Sequence, residues 1–425
     1  MATATESVAV PYGHEAITIN VPSGSLRDNV GMRTARIAPN PTSVLNAALD
    51  NPIGSERLEA IVRPGQKVTI VVDDLTRPTP VHLLLPTVLE RISKAGVSTA
   101  DVTILVATGT HRPMSLDELR VRLGESAVDT YQVINHDHRR ASDLVDLGNT
   151  PSGIPIKINR LVVDADVVIG IGNIVPHRYC GWAGGAKIIQ PGVSGEATTA
   201  GTHLMITKDP EIRLGVVENA ARREIEDVAE TVNLKFIVNT ILDPGGRVVD
   251  IVAGDYRQAF RDGVNRALEV YSCSVTGRAD IVIASSHPSD INLWQAGKGL
   301  YAADLVVNDG GIIILASPCY EGVGEHSEFV ECLRFDYPTL DRLISEDRVP
   351  DRIGAAAALA VALVLARAEV WLVARTITDA EASRMRMRRF DGLQEAVDAA
   401  VTLKPDGSTV TILREAAELL PLLPA

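Results

Sequence analysis

The sequence predicts an α/β protein of two domains, each built on a mainly parallel sheet covered by helices, with the functional site in the cleft between the domains. The chain has 425 residues, of which 46% are hydrophobic, so it can bury more than one core. Apolar runs rich in valine and isoleucine recur along it, and segments with helical periodicity separate several of them. Runs that are apolar on both faces are typical of parallel strands buried on both sides.

The predicted elements follow one another along the chain. Strands are predicted at residues 68–72, 102–106, 167–171, 281–284, 312–315 and 370–373. Helical periodicity marks residues 81–95, 220–231 and 256–271. The uncharged, alanine-rich run 353–366 is shorter than the roughly 20 residues that a membrane-spanning helix needs. It therefore predicts a buried helix.

A break in this pattern at residues 272–279, SCSVTGRA, predicts the domain boundary. Residues 1–272 then form an N-terminal α/β domain that carries the catalytic side chains, and residues 273–425 form a C-terminal α/β domain. The last residues can pack on either domain. No low-complexity linker separates the two halves, which favours domains in close contact.

The net charge of −13 argues against a protein that grips nucleic acid through a broad basic face. The four cysteines form no CxxC pair, which fits neither a zinc-thiolate site nor a disulfide framework. The first residues lack the basic and apolar regions of a secretory signal. These features predict a cytoplasmic protein that does not bind nucleic acid or a membrane.

Polar side chains follow three of these apolar runs and the short apolar pair Val133-Ile134. The segments are DDLTRPTP (73–80), ATGTHRP (107–113), NHDH (135–138) and GNIVPH (172–177). Each alone has an ordinary explanation, such as a helix cap or a structural histidine. Because the carboxyl ends of parallel strands meet at one edge of a sheet, their coincidence predicts a site at that edge.

A glycine-rich block at residues 176–192, PHRYCGWAGGAKIIQPG, follows the last of these segments. Its spacing departs from that of a phosphate-binding P-loop, since Ile188 stands where serine or threonine holds magnesium. Lys187 is flanked by Gly-Gly-Ala and Ile-Ile, which predicts a partly desolvated and more nucleophilic amine. His203, taken alone, is more typical of a structural residue.

The combination resembles the nickel-pincer nucleotide-dependent lactate racemases, a family that inverts 2-hydroxy acids. The matching elements cover most of the chain in the family's order: DDLTRPTP (73–80), ATGTHRPM (107–114), NHD (135–137), the block at 176–192, His203 and WQAGK (294–298).

This resemblance implies a pyridinium mononucleotide that carries nickel in a carbon-and-sulfur pincer. It further implies a thioamide link to Lys187, nickel ligation by His203, and contacts of Asp74 and Thr110 with the cofactor. His111 and His177 are the implied acid/base pair. Arg77, Gln295, Lys298 and Trp294 are the implied substrate-binding residues. The partners are then a small 2-hydroxy acid and the proteins that make the cofactor.

Two residues depart from the family's pattern. Ala183 stands where the family carries serine, and Trp294 stands where the lactate enzymes carry tyrosine. Trp294 is larger than tyrosine and lacks its hydroxyl group. The resemblance therefore leaves open whether the substrate is lactate or a larger 2-hydroxy acid.

Three other functions compete with this interpretation. A nicotinamide-dependent 2-hydroxy acid dehydrogenase needs a GxGxxG fingerprint, and Gly170-Ile171-Gly172 begins one that Val175 does not complete. A zinc hydrolase could use His111, His136, His138 and His177, but no HExxH or three-ligand spacing occurs. A protein that binds a ligand without reaction leaves the histidines and Lys187 without a purpose.

Overall fold

A computed structural model describes residues 4–33, 35–405 and 407–424 of the chain. In chain order the strands are β1 (Thr5–Tyr12), β2 (Glu15–Pro22), β3 (Leu26–Val30), β4 (Val68–Asp73), β5 (Val102–Ala107), β6 (Gln132–Asn135), β7 (Leu144–Asn149), β8 (Pro155–Asn159), β9 (Val167–Asn173), β10 (Pro176–His177), β11 (Gly181–Trp182), β12 (Leu234–Leu242), β13 (Val248–Gly254), β14 (Ser272–Ser274), β15 (Ala279–Ser285), β16 (Val307–Ala316), β17 (Glu369–Val373), β18 (Arg388–Phe390), β19 (Val410–Leu413) and β20 (Leu420–Leu422).

The helices, in the same order, are α1 (Pro41–Asp50), α2 (Leu58–Ile61), α3 (Val81–Lys94), α4 (Leu116–Leu123), α5 (Glu125–Thr130), α6 (Arg160–Val163), α7 (Glu196–His203), α8 (Ala220–Thr231), α9 (Gln258–Tyr271), α10 (Leu293–Ala296), α11 (Lys298–Val306), α12 (Ser327–Leu333), α13 (Tyr337–Ser345), α14 (Arg352–Leu365), α15 (Asp379–Arg384) and α16 (Leu393–Leu403).

These elements form two compact units. The central unit is Thr34–Val270, and the terminal unit combines Met1–Arg33 with Tyr271–Ala425. The terminal unit thus contains both ends of the chain, and the central unit is inserted between its two segments.

A six-stranded sheet in the order β13-β12-β9-β4-β5-β6 organises the central unit. All neighbours run parallel except β12 and β13, which are antiparallel. The strand β4 is buried along its whole length, as its continuous apolar sequence predicts. Helix α3 packs against this sheet because Val81, Leu84, Val88 and Ile92 recur at helical spacing on its buried face.

The strand order reverses direction at β4. The chain proceeds from β4 to β5 and β6 on one side and then returns to place β9 on the other side. Such a reversal opens a crevice beyond the carboxyl ends of the strands, which is where α/β sheets bind ligands. Asp73 ends β4 beside Ala107, and Asn173 ends β9, so the polar segments predicted from the sequence start at this edge.

A second six-stranded sheet, in the order β18-β17-β16-β15-β19-β3, organises the terminal unit, and its neighbouring strands are parallel. The hairpin of β1 and β2 contributes Val10 and Ile19 to the core on one face, together with Leu393 and Val397 of α16. Helix α14 is the predicted buried helix, with nearly all of its side chains inside the protein.

The predicted fold class is confirmed, since both units are α/β with mainly parallel sheets. Each predicted strand and helix occurs with bounds within two residues of those expected, except that β16 begins at Val307, five residues before the predicted start. The N-terminal strands differ from expectation. The predicted division at 272/273 put them in the N-terminal domain, whereas β3 pairs with β19 in the terminal unit. In the described part of the chain, no helix is long and apolar enough to cross a membrane. A functional site between the domains stays a prediction.

Candidate functional site

A pocket opens at the carboxyl ends of β4, β5 and β9, within the central unit. Side chains from separate segments line it, among them Asp74, Arg77, His111, Asn173, Lys187 and Asn239. Four of these, namely Asp74, Arg77, His111 and Lys187, are site residues predicted from the sequence. The turns that follow the parallel strands bring them together.

Asp74 and His111 form a hydrogen-bonded pair in this pocket. Their Oδ2 and Nδ1 atoms lie 2.7 Å apart, and the carboxylate can only accept, so the imidazole donates from Nδ1. Thr76 donates to the other carboxylate oxygen through its hydroxyl, at 2.6 Å. Burial alone raises the pKa of Asp74, but His111, Arg77 and Thr76 outweigh it and hold that pKa well below its usual range. Asp74 is therefore a fixed anion.

The neighbouring carboxylate, Asp73, has different partners. It accepts a hydrogen bond from the Thr79 hydroxyl at 2.5 Å and forms an ion pair with Arg122. Arg122 also donates to the carbonyl of Arg77 at 2.8 Å. Burial raises the pKa of Asp73 in spite of these contacts. Both carboxylates line the pocket, but Asp73 ties the turn after β4 to α4, whereas Asp74 pairs with His111.

Lys187 lies in a 3-10 helix, Gly185–Ile188, that follows a glycine turn. Gly184 has a φ of +97°, and a Cβ atom there would come within 2.8 Å of Ile174 Cγ1. The Gly185 amide donates to Asn239 Oδ1 at 2.8 Å. Burial, followed by the charge of Arg77, lowers the pKa of Lys187 from 10.5 to about 8. The predicted desolvation of this amine is therefore present.

The glycine turn is also stabilised by Arg222, a fully buried residue of α8. Its guanidinium donates to the carbonyl oxygens of Trp182 and Gly184. It also lies 4.1 Å from the centroid of the Phe260 ring. These contacts fix the backbone that leads to Lys187.

His203 ends α7, and its Nδ1 donates to the carbonyl of Thr199 at 2.9 Å. The ring of Tyr179 packs against the imidazole, with 4.3 Å between the ring centroids. Burial, and then the charge of nearby Lys187, lowers the pKa of His203 to about 4. The imidazole is neutral at pH 7, which is the form that ligates a metal.

His177 is the second residue of the short strand β10. Its Nδ1 accepts a hydrogen bond from the Tyr179 amide at 3.3 Å, and the Cys180 sulfur lies 3.4 Å from the same nitrogen. In a neutral imidazole with this pattern the proton is on Nε2. His111, which donates from Nδ1, carries the opposite tautomer.

The other predicted residues lie elsewhere. As far as the described residues go, the pocket lining does not include Thr110, His177 or His203. Thr110 is buried in the turn after β5. Trp294 and Gln295 lie in α10, and Lys298 begins α11, all in the terminal unit. Their approach to the pocket of the central unit stays a prediction.

Several residues that line or support the pocket were not predicted from the sequence. Asn239 sits inside an apolar strand, and Arg222 sits in a helix whose charged sequence, AARREIED, is typical of a solvated face. Asn173 follows the predicted strand 167–171 after one residue, Gly172. Its position at the carboxyl end of that strand is the feature from which a place in the pocket could have been predicted. Its amide nitrogen Nδ2 is buried and has no hydrogen-bond partner among the described residues.

The metal and dinucleotide alternatives find no support in this geometry. Within residues 4–33, 35–405 and 407–424, no group of three histidine, cysteine or acidic side chains could hold a metal ion. His136 uses both ring nitrogens, since Nε2 donates to the Ser194 carbonyl and Nδ1 accepts from Asn159. Gly170 and Gly172 lie inside β9, and β10 follows instead of the helix that a pyrophosphate needs.

Two family models match the chain. The lactate racemase N-terminal domain matches residues 12–215, and the lactate racemase C-terminal domain matches residues 275–420. Together they cover the pocket residues other than Asn239, and the helices that carry Trp294 and Lys298.

Individual proteins are also similar. The lactate racemase of Thermoanaerobacterium thermosaccharolyticum is 34% identical over 326 residues, which are 75% of this chain and 76% of that protein. The lactate racemase of Lactiplantibacillus plantarum is 29% identical over 420 residues, 96% of this chain and 97% of that one.

Solved structures agree with this similarity. The lactate racemase apoprotein from Thermoanaerobacterium thermosaccharolyticum has a TM-score of 0.89 and 30% identity, covering 98% of this chain and all of that one (100%). A protein from Thermotoga maritima has a TM-score of 0.73 at 20% identity, over 92% of this chain and 100% of its own, which shows a shared fold alone.

Proposed function

Because the chain belongs to the lactate racemase family and is an isomerase of that family, we propose that it inverts C2 of a small 2-hydroxy acid with a nickel-pincer nucleotide attached to Lys187. The observation that carries this proposal is the shared pocket of Lys187 and the His111–Asp74 pair. The substrate is lactate or a larger 2-hydroxy acid. The cytoplasmic location stays a prediction from the sequence.

The residues around the pocket fit such a cofactor. Lys187 has a pKa of about 8, so a useful fraction of its amine is unprotonated and nucleophilic near neutral pH. His203 is neutral at pH 7 and donates Nδ1–H to a carbonyl, which leaves Nε2 as the ligating nitrogen. Nδ2 of Asn173, which has no hydrogen-bond partner in the described part of the chain, offers a donor to an acceptor atom of the nucleotide. When bound, the nickel-pincer nucleotide supplies the group that takes up and returns the C2 hydrogen.

The two histidines are suited to move the hydroxyl proton. His111 donates Nδ1–H to Asp74, so in the neutral ring Nε2 is the nitrogen that accepts a proton. In the neutral ring of His177, Nδ1 accepts from the Tyr179 amide. To give a proton, His177 must enter the step as the imidazolium, which releases Nε2–H and keeps its other proton on Nδ1, beside the Cys180 sulfur. For one enantiomer, neutral His111 takes the hydroxyl proton at Nε2, and the His177 imidazolium returns a proton to the oxygen after inversion; for the other enantiomer the two histidines exchange roles. Asp74 stabilises the His111 imidazolium when it forms. Each histidine regains its starting state in the reverse reaction.

The cations of the site would hold the substrate. The Arg77 guanidinium lines the pocket, and Thr76 accepts one of its hydrogen bonds at 3.0 Å. A planar guanidinium suits a carboxylate through paired hydrogen bonds. We assign Lys298 and Gln295 to the remaining substrate oxygens, Trp294 to the substrate's side chain, and Asp74 and Thr110 to contacts with the cofactor.

The test uses protein made in a host that contains the cofactor-biosynthesis proteins. Nickel analysis and intact mass, taken before and after denaturation, should show one nickel-containing adduct that survives denaturation through its link to Lys187. The Lys187→Ala variant should lack it. Chiral analysis should then show interconversion of the two enantiomers of lactate or of a larger 2-hydroxy acid. Loaded protein that inverts no 2-hydroxy acid would refute the proposal.

A further inference from the structure

The indole of Trp294 packs against two aromatic rings of the terminal unit. His326 stacks on it with 4.5 Å between the ring centroids and 27° between the planes. Phe329 meets it edge-on, at 5.4 Å and 66°. Stacked and edge-to-face geometries of this kind are the favourable arrangements for aromatic pairs. The side chain of Trp294 is therefore fixed on the side that faces α12.

The backbone around Trp294 is fixed as well. The amide of Leu293 donates to the carbonyl of Gly322 at 2.9 Å, and the amide of Trp294 donates to that of Val323 at 3.3 Å. Gly324 has a φ of +100°, and a Cβ atom there would lie 3.2 Å from Cβ of Trp294. The loop after β16 thus clamps the first turn of α10.

Asp351 holds the stacked histidine in place. One carboxylate oxygen accepts from the amides of Ile353 and Gly354, both at 2.9 Å, and so caps α14. The other oxygen accepts from His326 Nδ1 at 2.7 Å. The His326 side chain is only 5% exposed. Because Asp351 is anchored to a helix, His326 is a rigid support for the indole.

Trp294 and Lys298 emerge on the same side of their helices. Gly297, which joins α10 to α11, keeps a right-handed helical conformation with φ of −53° and ψ of −19°. Residues four apart in such a backbone lie one above the other. Trp294, which is partly exposed, and Lys298, which is assigned to the substrate oxygens, therefore share one side of this helical segment.

We propose that Trp294, held by His326 and Asp351, is a rigid wall that selects the side chain of the 2-hydroxy acid and favours an apolar side chain over a second carboxylate. This inference rests on the proposed function. A flat apolar group gains contact area on the indole face, whereas a carboxylate there loses water and meets negative π density. His326 and Asp351 are positioning residues, since they act through Trp294.

The first experiment compares substrates on the wild-type holoenzyme. We expect 3-phenyl-2-hydroxypropanoate to have a kcat/KM at least about tenfold above that of 2-hydroxybutanedioate, in the range that one desolvated group contributes. Lactate is the reference. Equal or faster inversion of the dicarboxylate overturns the inference while the proposed function stands. If no 2-hydroxy acid is inverted, the proposed function itself fails.

The second experiment separates the stacked ring from the hydrogen bond. His326→Asn keeps a donor for Asp351 but removes the ring, and His326→Phe keeps a ring but removes the donor. We expect His326→Asn to raise KM for the phenyl substrate by about threefold to tenfold, the worth of one aromatic pair, while its kcat stays near that of the wild type. His326→Phe should restore that KM.

Asp336→Ala removes the exposed N-terminal cap of α13 in the same unit. It is the control for a variant that loses stability while the contacts of Trp294 are kept. It should lower the melting temperature and leave the ratio of kcat/KM values for the phenyl substrate and lactate unchanged. An equal rise in KM for lactate and the phenyl substrate in His326→Asn would show a merely structural role and overturn the inference.

Discussion

Nδ1 of His111 lies 2.7 Å from Oδ2 of Asp74, and only 4% of the Asp74 side chain is exposed. An anion this close to one ring nitrogen fixes both the orientation of the imidazole and its tautomer. The same carboxylate is anchored by the amide and hydroxyl of Thr76. His111 is therefore presented to the pocket in one defined state.

Asp74→Asn should keep the fold and lose most of the activity. An amide can turn its NH₂ group toward His111 and favour the wrong tautomer, so we expect kcat to fall by about 10²- to 10⁴-fold, the usual contribution of an acid/base group. Steady-state racemisation by the loaded variant measures this. Asp129→Asn, at an exposed carboxylate paired with Arg120, is the matched control and should retain full activity. If Asp74→Asn kept the kcat of the wild type, Asp74 would not be needed to orient His111.

His203→Ala and His177→Ala should have separable defects. His203 is neutral and donates from Nδ1 to a carbonyl, so its loss should release nickel. His177 is assigned a proton, so its alanine variant should keep nickel and lose turnover. Nickel content per chain, measured beside activity, distinguishes the two. Nickel loss in His177→Ala with retention in His203→Ala would reverse the two roles.

Lys187 in the unloaded protein should react with a neutral acylating reagent at a lower pH than an ordinary lysine does. Its pKa is about 8 instead of 10.5, so the amine is protonated and unreactive below pH 8 and neutral above it. The rate of labelling at Lys187, followed by peptide mass, should rise through about pH 8 and then level off. A rate that keeps rising toward pH 10.5 would contradict the lowered pKa.

The same shift affects stability. Between pH 8 and 10.5 the unfolded chain binds a proton at Lys187 that the folded chain does not, so this residue's contribution to the free energy of unfolding increases with pH across that window. Lys187→Met removes the desolvated charge. It should raise the melting temperature of the unloaded protein at pH 7 by more than it does at pH 10.

Gly184→Ala should destabilise the turn that carries Lys187. The residue has a φ of +97°, and the new Cβ atom would meet Ile174 Cγ1 at 2.8 Å and the Asn173 carbonyl at 3.0 Å. We expect a loss of about 1–3 kcal/mol in the free energy of unfolding. Gly246→Ala is the matched control, because Gly246 has a φ of +73° but no atom within 4 Å of the added methyl group. Chemical denaturation of both variants should show the larger loss at Gly184.

The fate of the C2 hydrogen tests whether the cofactor, and not a histidine, takes up that hydrogen. If His111 and His177 handle only the hydroxyl proton, a C2-deuterated substrate should invert in ordinary water with most of its deuterium retained. A pair of bases that removed the C2 proton would exchange it with solvent. Mass analysis of the new enantiomer at partial conversion distinguishes these outcomes. Washout of deuterium in the first turnovers would refute the proposal that the C2 hydrogen moves to the cofactor and back as hydride.

The sequence predicted best those strands that are buried along their whole length. Strands such as β4 and β9 are apolar on both faces, so they were found from composition alone, and the polar residues after them marked the pocket edge. Lys187 and His111 stood out because a charged or titratable residue followed an apolar run or lay in a glycine block. Their relation to Asp74 depended on the order of strands in the sheet.

Residues whose partners are distant in sequence escaped this reasoning. The edge strand β3, LRDNV, has alternating exposed positions and pairs with β19, about 380 residues later. Arg222 is fully buried although it lies in a helix with the composition of a surface helix. Its partners are carbonyl oxygens of a turn, which leave no pattern in the side-chain sequence.

The pairing of β3 with β19 constrains the order in which the chain can fold during synthesis. When the ribosome has completed the central unit, the strand that β3 borders has not yet been made, so the N-terminal hairpin must wait with Val10 and Ile19 uncovered. Exposed apolar strands are prone to associate with other chains. A fragment that ends near residue 272 would carry that hairpin permanently without its sheet, whereas a fragment that starts near residue 34 would not.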